Sequence, residues 1–535
     1  MATQALPDGD SAGTILGHPK GLFVLFFAEM WERFSYYGMR ALLIFYLTKH
    51  WLFSDSEAGV IYGAYTALVY ITPVVGGYLA DRYLGQRKAV LFGAILLTLG
   101  HFFMAFEGAP AAGNDGNPII YVFWLALALI IVGSGFLKAN ISVIVGQLYP
   151  RTDIRRDPAY TIFYMGINIG AFFGSILCGY IGETYGWAYG FGLAGIGMLL
   201  GLVVFAWGTP LLLGRGEPPK PLRKGTEWGM YAAGIGLVGI CWLAIQFQSL
   251  VGYVLGGFGG ALVLYVLFTA VVKLSSEERD RIFAALFLIL TSIIFWALFE
   301  QAGSSLNLFT DRHVDRTLFG MVVPASVFQS VNAGFIFVLA PVFAATWTAL
   351  GRRNMEPSTP FKFGLGVIQV GLGFLVLVFG AQSVGVDAAT PVMFIFLIYL
   401  LHTTGELCLS PVGLSAMNRL APAHMASLIM GTWFFASATG NFAAGLIAAA
   451  TGAEGVGEEA GKQVVLDVYS NVGWVAVAVG VGVLVVSPLI KKLMHLETLV
   501  DDTVDDDLEG QRAAGLEAQE GGIHPATRPG PRPAE

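Results

Sequence analysis

The chain has 535 residues, of which 55% are hydrophobic and 13% are charged, and its mean hydropathy is +0.67. Soluble domains carry about 25% charged residues, so most of this chain is expected to contact lipid rather than water. The formal net charge of -7 comes with no basic patch, which argues against nucleic acid as a partner.

The apolar stretches predict fourteen membrane helices, because a bilayer core needs about 20 apolar residues per helix. The polar first twenty residues lack the pattern of a signal peptide, so we expect the first apolar segment to be retained as a membrane helix. The predicted segments are 21–48, 57–80, 88–107, 119–149, 159–182, 188–213, 226–248, 252–273, 283–309, 321–348, 361–382, 391–419, 425–450 and 467–490.

The positions of Lys and Arg predict that both termini are cytoplasmic. One side of the bundle carries most of the loop cations, whereas the other carries Lys49, Arg312, Arg316 and Lys462. Cytoplasmic loops hold the excess of such residues, and an even number of helices returns the chain to its starting side. We therefore expect a multi-pass protein of the cell (inner) membrane.

The two segments within 226–273 differ from the rest, since they contain no charge between Trp228 and Val272 and follow a Pro- and Lys-rich linker. We interpret them as an inserted hairpin that faces lipid, which leaves six helices on either side. The predicted organisation is a cytoplasmic N-terminus (1–20), a six-helix bundle (21–213), the linker and hairpin (214–275), a second six-helix bundle (276–491) and a disordered cytoplasmic tail (492–535).

Seven ionisable residues lie well inside apolar segments, where Asp, Lys or Arg costs about 2.5–3.5 kcal/mol at a helix centre. Such residues usually face a cavity and act in transport or proton relay. Simple ion pairing between helices is the weaker alternative, because buried ion pairs stabilise little. The seven residues are Glu29, Glu32, Arg33, Arg40, Lys138, Glu300 and Glu406.

The first helix places its polar residues on one face. Glu29, Glu32 and Arg33 are followed by Tyr36, Tyr37 and Arg40, a spacing of i, i+3, i+4, i+7, i+8 and i+11. Positions with this spacing share one side of an α-helix. The helix is therefore expected to line a wet cavity or a polar seam.

The charges divide between the two halves in a way that favours a zwitterionic substrate. Arg33, Arg40 and Lys138 form a cationic wall in the first half, and Glu300 and Glu406 form an anionic wall in the second. The charged ends of a di- or tripeptide lie roughly 7–11 Å apart at about 3.3–3.6 Å per residue. If a peptide carboxylate competes for a cation, the abandoned Glu would take up a proton, which predicts proton coupling.

A short loop follows the second segment and contains Asp81, Arg82 and Arg87. Its charges are candidates for a gating contact with a neighbouring helix in one state of the protein. Anchoring by the positive-inside rule accounts for Arg87 but not for Asp81.

These residues together resemble the proton-dependent oligopeptide transporter family, in its prokaryotic type. The resemblance rests on Glu29-x-x-Glu32-Arg33-Phe34-x-Tyr36-Tyr37, on the loop 76–90, on Phe163-Tyr164 through Asn168, on Phe295-Trp296 through Glu300 and on Glu406 through Ser410. It covers about 18–490 and implies the major facilitator fold, with two six-helix bundles plus the inserted hairpin. One departure is Ala333, where the family often has Pro.

The resemblance also implies roles for individual residues. Glu29, Glu32 and Arg33 would couple the proton, with Glu300 and Lys138 as a further charge pair. Arg33, Arg40 and Lys138 would hold the peptide carboxylate, Glu406 would hold the amino end, and Asn168 and Asn332 would bind the backbone or termini. Side-chain pockets would be lined by Tyr36, Tyr70, Tyr164, Trp296, Ser410 and Trp433.

The sequence thus predicts a monomeric importer of di- and tripeptides, embedded in lipid, with the proton as coupling ion and no cofactor or metal. Cys178, Cys241 and Cys408 lie in apolar runs without metal-site spacing. An enzyme is disfavoured, because no nucleophile–base pair has suitable spacing. Two alternatives stay open: a major facilitator transporter of another small solute, drug-like or zwitterionic, and a non-transporting nutrient sensor on the same fold.

Overall fold

The computed structural model describes residues 13–108, 117–149, 153, 155–422, 425–452 and 458–496, and these residues are helical almost throughout. The α-helices are α1 (Lys20–Phe45), α2 (Asp55–Leu79), α3 (Gln86–Met104), α4 (Ile119–Gln147), α5 (Arg156–Tyr185), α6 (Trp187–Gly208), α7 (Lys224–Gln246), α8 (Gln248–Lys273), α9 (Ser276–Phe299), α10 (Ser305–His313), α11 (Ser330–Arg352), α12 (Thr359–Val384), α13 (Met393–Leu420), α14 (Ala426–Ala450) and α15 (Glu458–Leu493).

Fourteen of these helices are long, because α10 has nine residues and continues the path of α9. This number confirms the predicted fourteen segments, and the all-helical class is confirmed with it. Within the described residues, thirteen helices are long and apolar enough, by length and composition, to cross a membrane. The remaining long helix is α1, whose four charged residues between Glu29 and Arg40 lower its apolar character. Residues 1–12 and the tail from 497 lie outside the described residues.

Two large hydrophobic cores divide the described helices, and a third, small cluster consists of Ile336, Ala340 and Leu407. One core gathers most of its side chains from α1 to α8, including Leu42, Tyr65 and Ile130, and the other gathers them from α8 to α15. Helices begin where their first backbone N–H groups find acceptors. At α2 and α9 a capping box does this, with Ser54 paired to Glu57 and Ser275 paired to Glu278.

Small residues let the helices of the first half pack closely. A Cβ atom added at Gly170 of α5 would lie 2.9 Å from the Arg33 Cβ atom, and one added at Gly174 would lie 2.8 Å from the Phe34 Cα atom. Real side chains do not approach so closely, so α5 can reach α1 here because these positions lack a side chain. Glycine and other small residues serve this purpose in membrane helix pairs.

The strands are two residues long and lie at helix ends. β1 (Thr14–Ile15) pairs antiparallel with β2 (His18–Pro19), with Thr14 opposite Pro19. β3 (Val314–Asp315) pairs parallel with β6 (Thr390–Pro391), and β4 (Thr317–Leu318) pairs antiparallel with β5 (Met321–Val322).

Two predicted boundaries are wrong by nine residues. The segment predicted from 321 begins as α11 at Ser330, because Gly320 turns the chain at φ +79° and Pro324 adopts an extended conformation with ψ 142°. A 3₁₀ turn, Ala325–Gln329, then leads into α11. The last segment, predicted from 467, begins at Glu458, since a helix can continue past the apolar stretch into water.

The two halves meet at the end of the bundle that carries Lys49, Asp55 and Arg312, which we call the closed end. Arg312 binds Asp55 through both guanidinium nitrogens, and Lys49 Nζ lies 2.7 Å from Asp311 Oδ2. Close by, α2 and α14 approach until a Cβ atom at Gly63 would lie 3.0 Å from the Gly445 nitrogen. These contacts join the two halves at this end of the protein, outside the polar cavities that lie between the halves.

The two helices of the predicted hairpin contact both halves. α7 packs on α2 and α4, and α8 packs on α9, α14 and α2. Large apolar side chains on the hairpin remain exposed, including Trp228 at 71% and Tyr253 at 77%. Exposed apolar surface of this kind suits a lipid environment.

Candidate functional site

The charged face of α1 forms a closed cluster. The Arg33 Nε atom lies 2.5 Å from Glu29 Oε1 and 2.9 Å from Glu32 Oε2, and none of the three side chains is exposed. The one-turn spacing predicted from the sequence therefore brings two carboxylates onto one guanidinium. In a low-dielectric interior such a cluster is sensitive to the gain or loss of one charge.

Arg40, two turns farther along α1, links the two halves of the protein. Its guanidinium donates to the Glu300 carboxylate, and its Nε atom donates to the Tyr62 hydroxyl at 2.7 Å. Glu300 stands where α9 gives way to a 3₁₀ turn, Glu300–Gly303. A cation of the first half thus binds an acid of the second half, and the Arg40 and Glu300 side chains are 6% and 1% exposed.

Lys138 lies among aromatic rings of the first half. Its Nζ atom is 4.6 Å from the centre of the Tyr36 ring and 5.3 Å from the centre of the Tyr70 ring. Ring faces attract cations, so these two tyrosines support the ammonium group. The resemblance paired Lys138 with Glu300; in this structure Glu300 binds Arg40, and a Lys138–Glu300 pair in another state stays a prediction.

The second half binds its other acid through an amide group. The Asn332 Nδ2 atom on α11 donates to Glu406 Oε2 at 3.1 Å and to Thr403 Oγ1 at 3.0 Å. Glu406 is fully buried, and among the described residues no Lys, Arg or His lies within 4.0 Å of its carboxylate. The helix α11 runs unbroken past Ala333.

Two cavities lie between the halves beside these groups. One has an empty volume of about 340 Å³ and is lined by Asn168, Ser175 and Ala333; the other has about 430 Å³ and is lined by Arg40, Tyr399 and His402. Their linings share Tyr37, Gln329 and Asn332. These volumes include space that is open to solvent, so the room enclosed within either cavity is smaller.

The remaining predicted substrate residues lie in the helices around this region. Trp296 on α9 and Trp433 on α14 are buried, and a Cβ atom at Gly413 would fall within 2.9 Å of the Trp433 ring. The Tyr164 carbonyl accepts from Asn168 Nδ2 at 3.2 Å, and Ser410 is buried one turn after Glu406. Of the predicted set, Arg40, Asn168 and Asn332 line the cavities, and the functional roles of all the predicted residues remain predictions.

The predicted gating residues are held near the linker that precedes α7. Arg87 pairs with Glu217, and its backbone N–H donates to the Gly216 carbonyl at 2.9 Å. Asp81 accepts from Gln86 Nε2 at 2.8 Å, and the Arg82 guanidinium lies 5.6 Å from the centre of the Tyr78 ring. The described contacts thus tie the loop to the linker, and its gating role is a prediction.

Sequence reasoning missed Tyr62, Ser175, Gln329 and Tyr399 as residues of the site, whereas Tyr37 lies on the polar face of α1 that was expected to line a cavity. Tyr62 precedes Tyr70 by eight residues on α2, and this helical spacing is a signal that could have identified it. Gln329 carries no charge and ends a short 3₁₀ turn outside the α-helices, so neither its burial cost nor an α-helical pattern marks it.

The chain matches the model of one protein family and is similar to transporters of known sequence. The model of the POT family matches residues 87–460. The transporter YclF of Bacillus subtilis is 37% identical over 496 residues, covering 89% of this chain and 95% of that protein. The peptide transporter YePEPT of Yersinia enterocolitica is 38% identical over 463 residues, covering 81% and 88%.

Solved structures that are similar to this chain belong to the same family. A variant of the peptide transporter POT in complex with alafosfalin is 35% identical and covers 91% of this chain and 98% of its own, with a TM-score of 0.77. A POT family transporter in complex with 5-aminolevulinic acid is 32% identical and covers 90% and 99%, also with a TM-score of 0.77. These proteins are transporters and not enzymes. With its fourteen long helices and its charged cavity between two halves, the chain belongs to the POT family of membrane peptide transporters.

Proposed function

We propose that this protein is a proton-coupled symporter that imports di- and tripeptides by alternating access. The proposal rests above all on the division of buried charge. Glu406 is a buried acid of the second half that accepts from the Asn332 amide, and Arg33, Arg40 and Lys138 are cations of the first half. Relatives named as di-/tripeptide transporter and as dipeptide and tripeptide permease support this substrate class.

The Glu406 carboxylate is a natural partner for the amino group of a peptide. A buried acid without a cation is costly to keep charged. An incoming ammonium group would supply the missing positive charge, and the Asn332 amide would keep the carboxylate oriented. A neutral solute offers no such gain, so the site favours substrates with a cationic end.

Proton coupling follows from the fact that every first-half cation named above already has partners. Arg33 contacts two carboxylates and Arg40 contacts Glu300. A substrate carboxylate that approaches one of these cations competes with a protein carboxylate, and protonation of Glu29, Glu32 or Glu300 would release the cation for it. Substrate and proton would therefore bind together more strongly than either binds alone.

Breaking the Arg40–Glu300 contact would also loosen the two halves, because this pair spans them. Substrate binding, protonation and opening of the closed end would then be linked in one cycle, with the proton as coupling ion and no cofactor. We further propose that the protein acts as a monomer in the cell (inner) membrane, with both termini cytoplasmic, since the loop cations are concentrated on that side.

A second candidate is transport of another zwitterion, which is favoured by the POT family structure with bound 5-aminolevulinic acid. Purified protein in liposomes distinguishes the two. We expect an inward proton gradient to drive accumulation of labelled dialanine and trialanine more strongly than that of alanine or 5-aminolevulinic acid. Accumulation of the latter two without either peptide would replace the peptide proposal by the second candidate, and folded protein with no uptake would favour the nutrient sensor.

A further inference from the structure

Gln329 occupies a central place in the cavity region, on a firmly held element. It ends the 3₁₀ turn Ala325–Gln329, and its side chain lines both cavities. The turn is docked on α5, because the Ser326 N–H donates to Glu183 Oε1 at 2.8 Å. Across from it, Gly179 lacks a side chain that would meet Ser326. The backbone that carries Gln329 is therefore fixed at the contact between the halves.

The orientation of the Gln329 carboxamide follows from its partner. The Nε2 atom donates to the Ala41 carbonyl of α1 at 3.4 Å, and Asn307 Nδ2 donates to the same carbonyl at 3.1 Å. A carbonyl oxygen accepts hydrogen bonds and cannot donate them, so the NH₂ group of Gln329 must face Ala41. Its Oε1 atom is left as an acceptor, and it takes part in no hydrogen bond among the residues that the structure describes.

The other two amides of the cavity also donate to groups of the protein. Asn332 Nδ2 donates to Thr403 and Glu406, and Asn168 Nδ2 donates to the Tyr164 carbonyl. A peptide that enters the cavity brings a backbone N–H in addition to its charged ends. Burying this donor without an acceptor is costly. Gln329 Oε1 offers an acceptor on a residue that lines both cavities, together with Asn332 in both and Arg40 in one.

We infer that Gln329 contacts the substrate and that its carboxamide oxygen accepts the N–H of the substrate's peptide bond. The inference rests on the proposed function and extends it, since it assigns recognition of the peptide bond itself to a residue outside the charged set. Free amino acids lack this N–H. The contact therefore helps the protein to select peptides over other zwitterions of similar charge.

The test replaces the donor in the substrate and the acceptor in the protein. Uptake of dialanine is compared with uptake of its ester analogue, alanyl-lactate, in which an oxygen replaces the peptide N–H. The wild type should prefer dialanine by about three- to tenfold in kcat/KM, the effect of one hydrogen bond. Gln329→Leu should reduce this preference to near unity by weakening dialanine uptake, whereas Gln382→Leu, the same change at an exposed position on α12, should keep it.

Each outcome has a distinct meaning. An unchanged preference in Gln329→Leu would overturn the inference while leaving peptide transport intact. Absence of dialanine uptake by the wild type would instead overturn the proposed function. If Gln329→Leu does not fold, Gln329→Met removes the same oxygen with an unbranched side chain, and its preference for dialanine decides the question in the same way.

Discussion

The Arg40–Glu300 ion pair should contribute far more to closure between the halves than the Arg312–Asp55 pair. Removing one partner of a buried pair costs about 3–5 kcal/mol, because the other charge is left uncompensated. In Glu300→Gln the buried Arg40 guanidinium would keep its hydrogen bond to Tyr62 but lose its counter-charge. Arg312 is 42% exposed, and exposed pairs contribute about 0–1 kcal/mol.

These energies translate into different populations of the closed end. Glu300→Gln should shift the equilibrium between closed and open states toward the open state by more than about a hundredfold, whereas Asp55→Asn should shift the same equilibrium by about fivefold or less. Spin labels on cysteines at Tyr185 and Phe319, which are exposed on opposite halves, report the distance across this end. The native Cys178 is buried and should resist labelling.

The expected pulsed-EPR result is a new long-distance population in Glu300→Gln and a distribution close to wild type in Asp55→Asn. Equal effects of the two changes would refute the argument, since burial would then not decide the strength of the contact. A wild-type distribution in Glu300→Gln would show that Arg40 does not hold the halves together.

Two further predictions concern folding and pH. Gly170→Leu should strongly lower the thermal stability of the detergent-solubilised protein, because a side chain there meets Arg33. Gly236→Leu on α7, where a Cβ atom meets open space, should leave the thermal stability unchanged. An equal loss of thermal stability in both variants would contradict this reading of the α1–α5 contact. The His18 ring nitrogen lies 2.8 Å from the Tyr149 hydroxyl, and burial lowers the pKa of His18 below its ordinary value of 6.5. The neutral ring therefore contributes stability above pH 6.5, and this contribution is lost as the pH falls below 6.5. Hydrogen exchange of residues 14–19, corrected for its intrinsic rate, should therefore be faster at pH 5.5 than at pH 7.5 in the wild type but not in His18→Gln, and the same pH dependence in the variant would contradict this role.

Much of the fold could be predicted, because membrane helices are recognisable from their apolar composition. The polar face of α1 was equally accessible, since Glu29 and Arg33 are one turn apart and local geometry alone brings them together. The start of α11 could not be predicted from composition, because Met321 and Val322 are as apolar as a membrane helix requires, whereas Gly320 and Pro324 redirect the backbone.

Contacts between the halves were the harder part of the site. Three cations of the first half could have bound Glu300, and nothing in the spacing of the chain selects Arg40 over Lys138. The choice depends on how the two bundles meet, which is a property of tertiary structure. Gln329 was missed for a related reason: an uncharged residue costs little to bury, so it leaves no signal in a sequence searched for expensive charges.

The central claim is that protons drive peptide uptake through the α1 cluster, and Glu32→Gln tests it most directly. In liposomes the variant should lose accumulation of labelled dialanine under an inward proton gradient, because the position of Glu32 beside Arg33 no longer exchanges a proton. It should retain exchange of labelled for unlabelled dialanine without a gradient. Gradient-driven accumulation equal to that of the wild type would contradict the account.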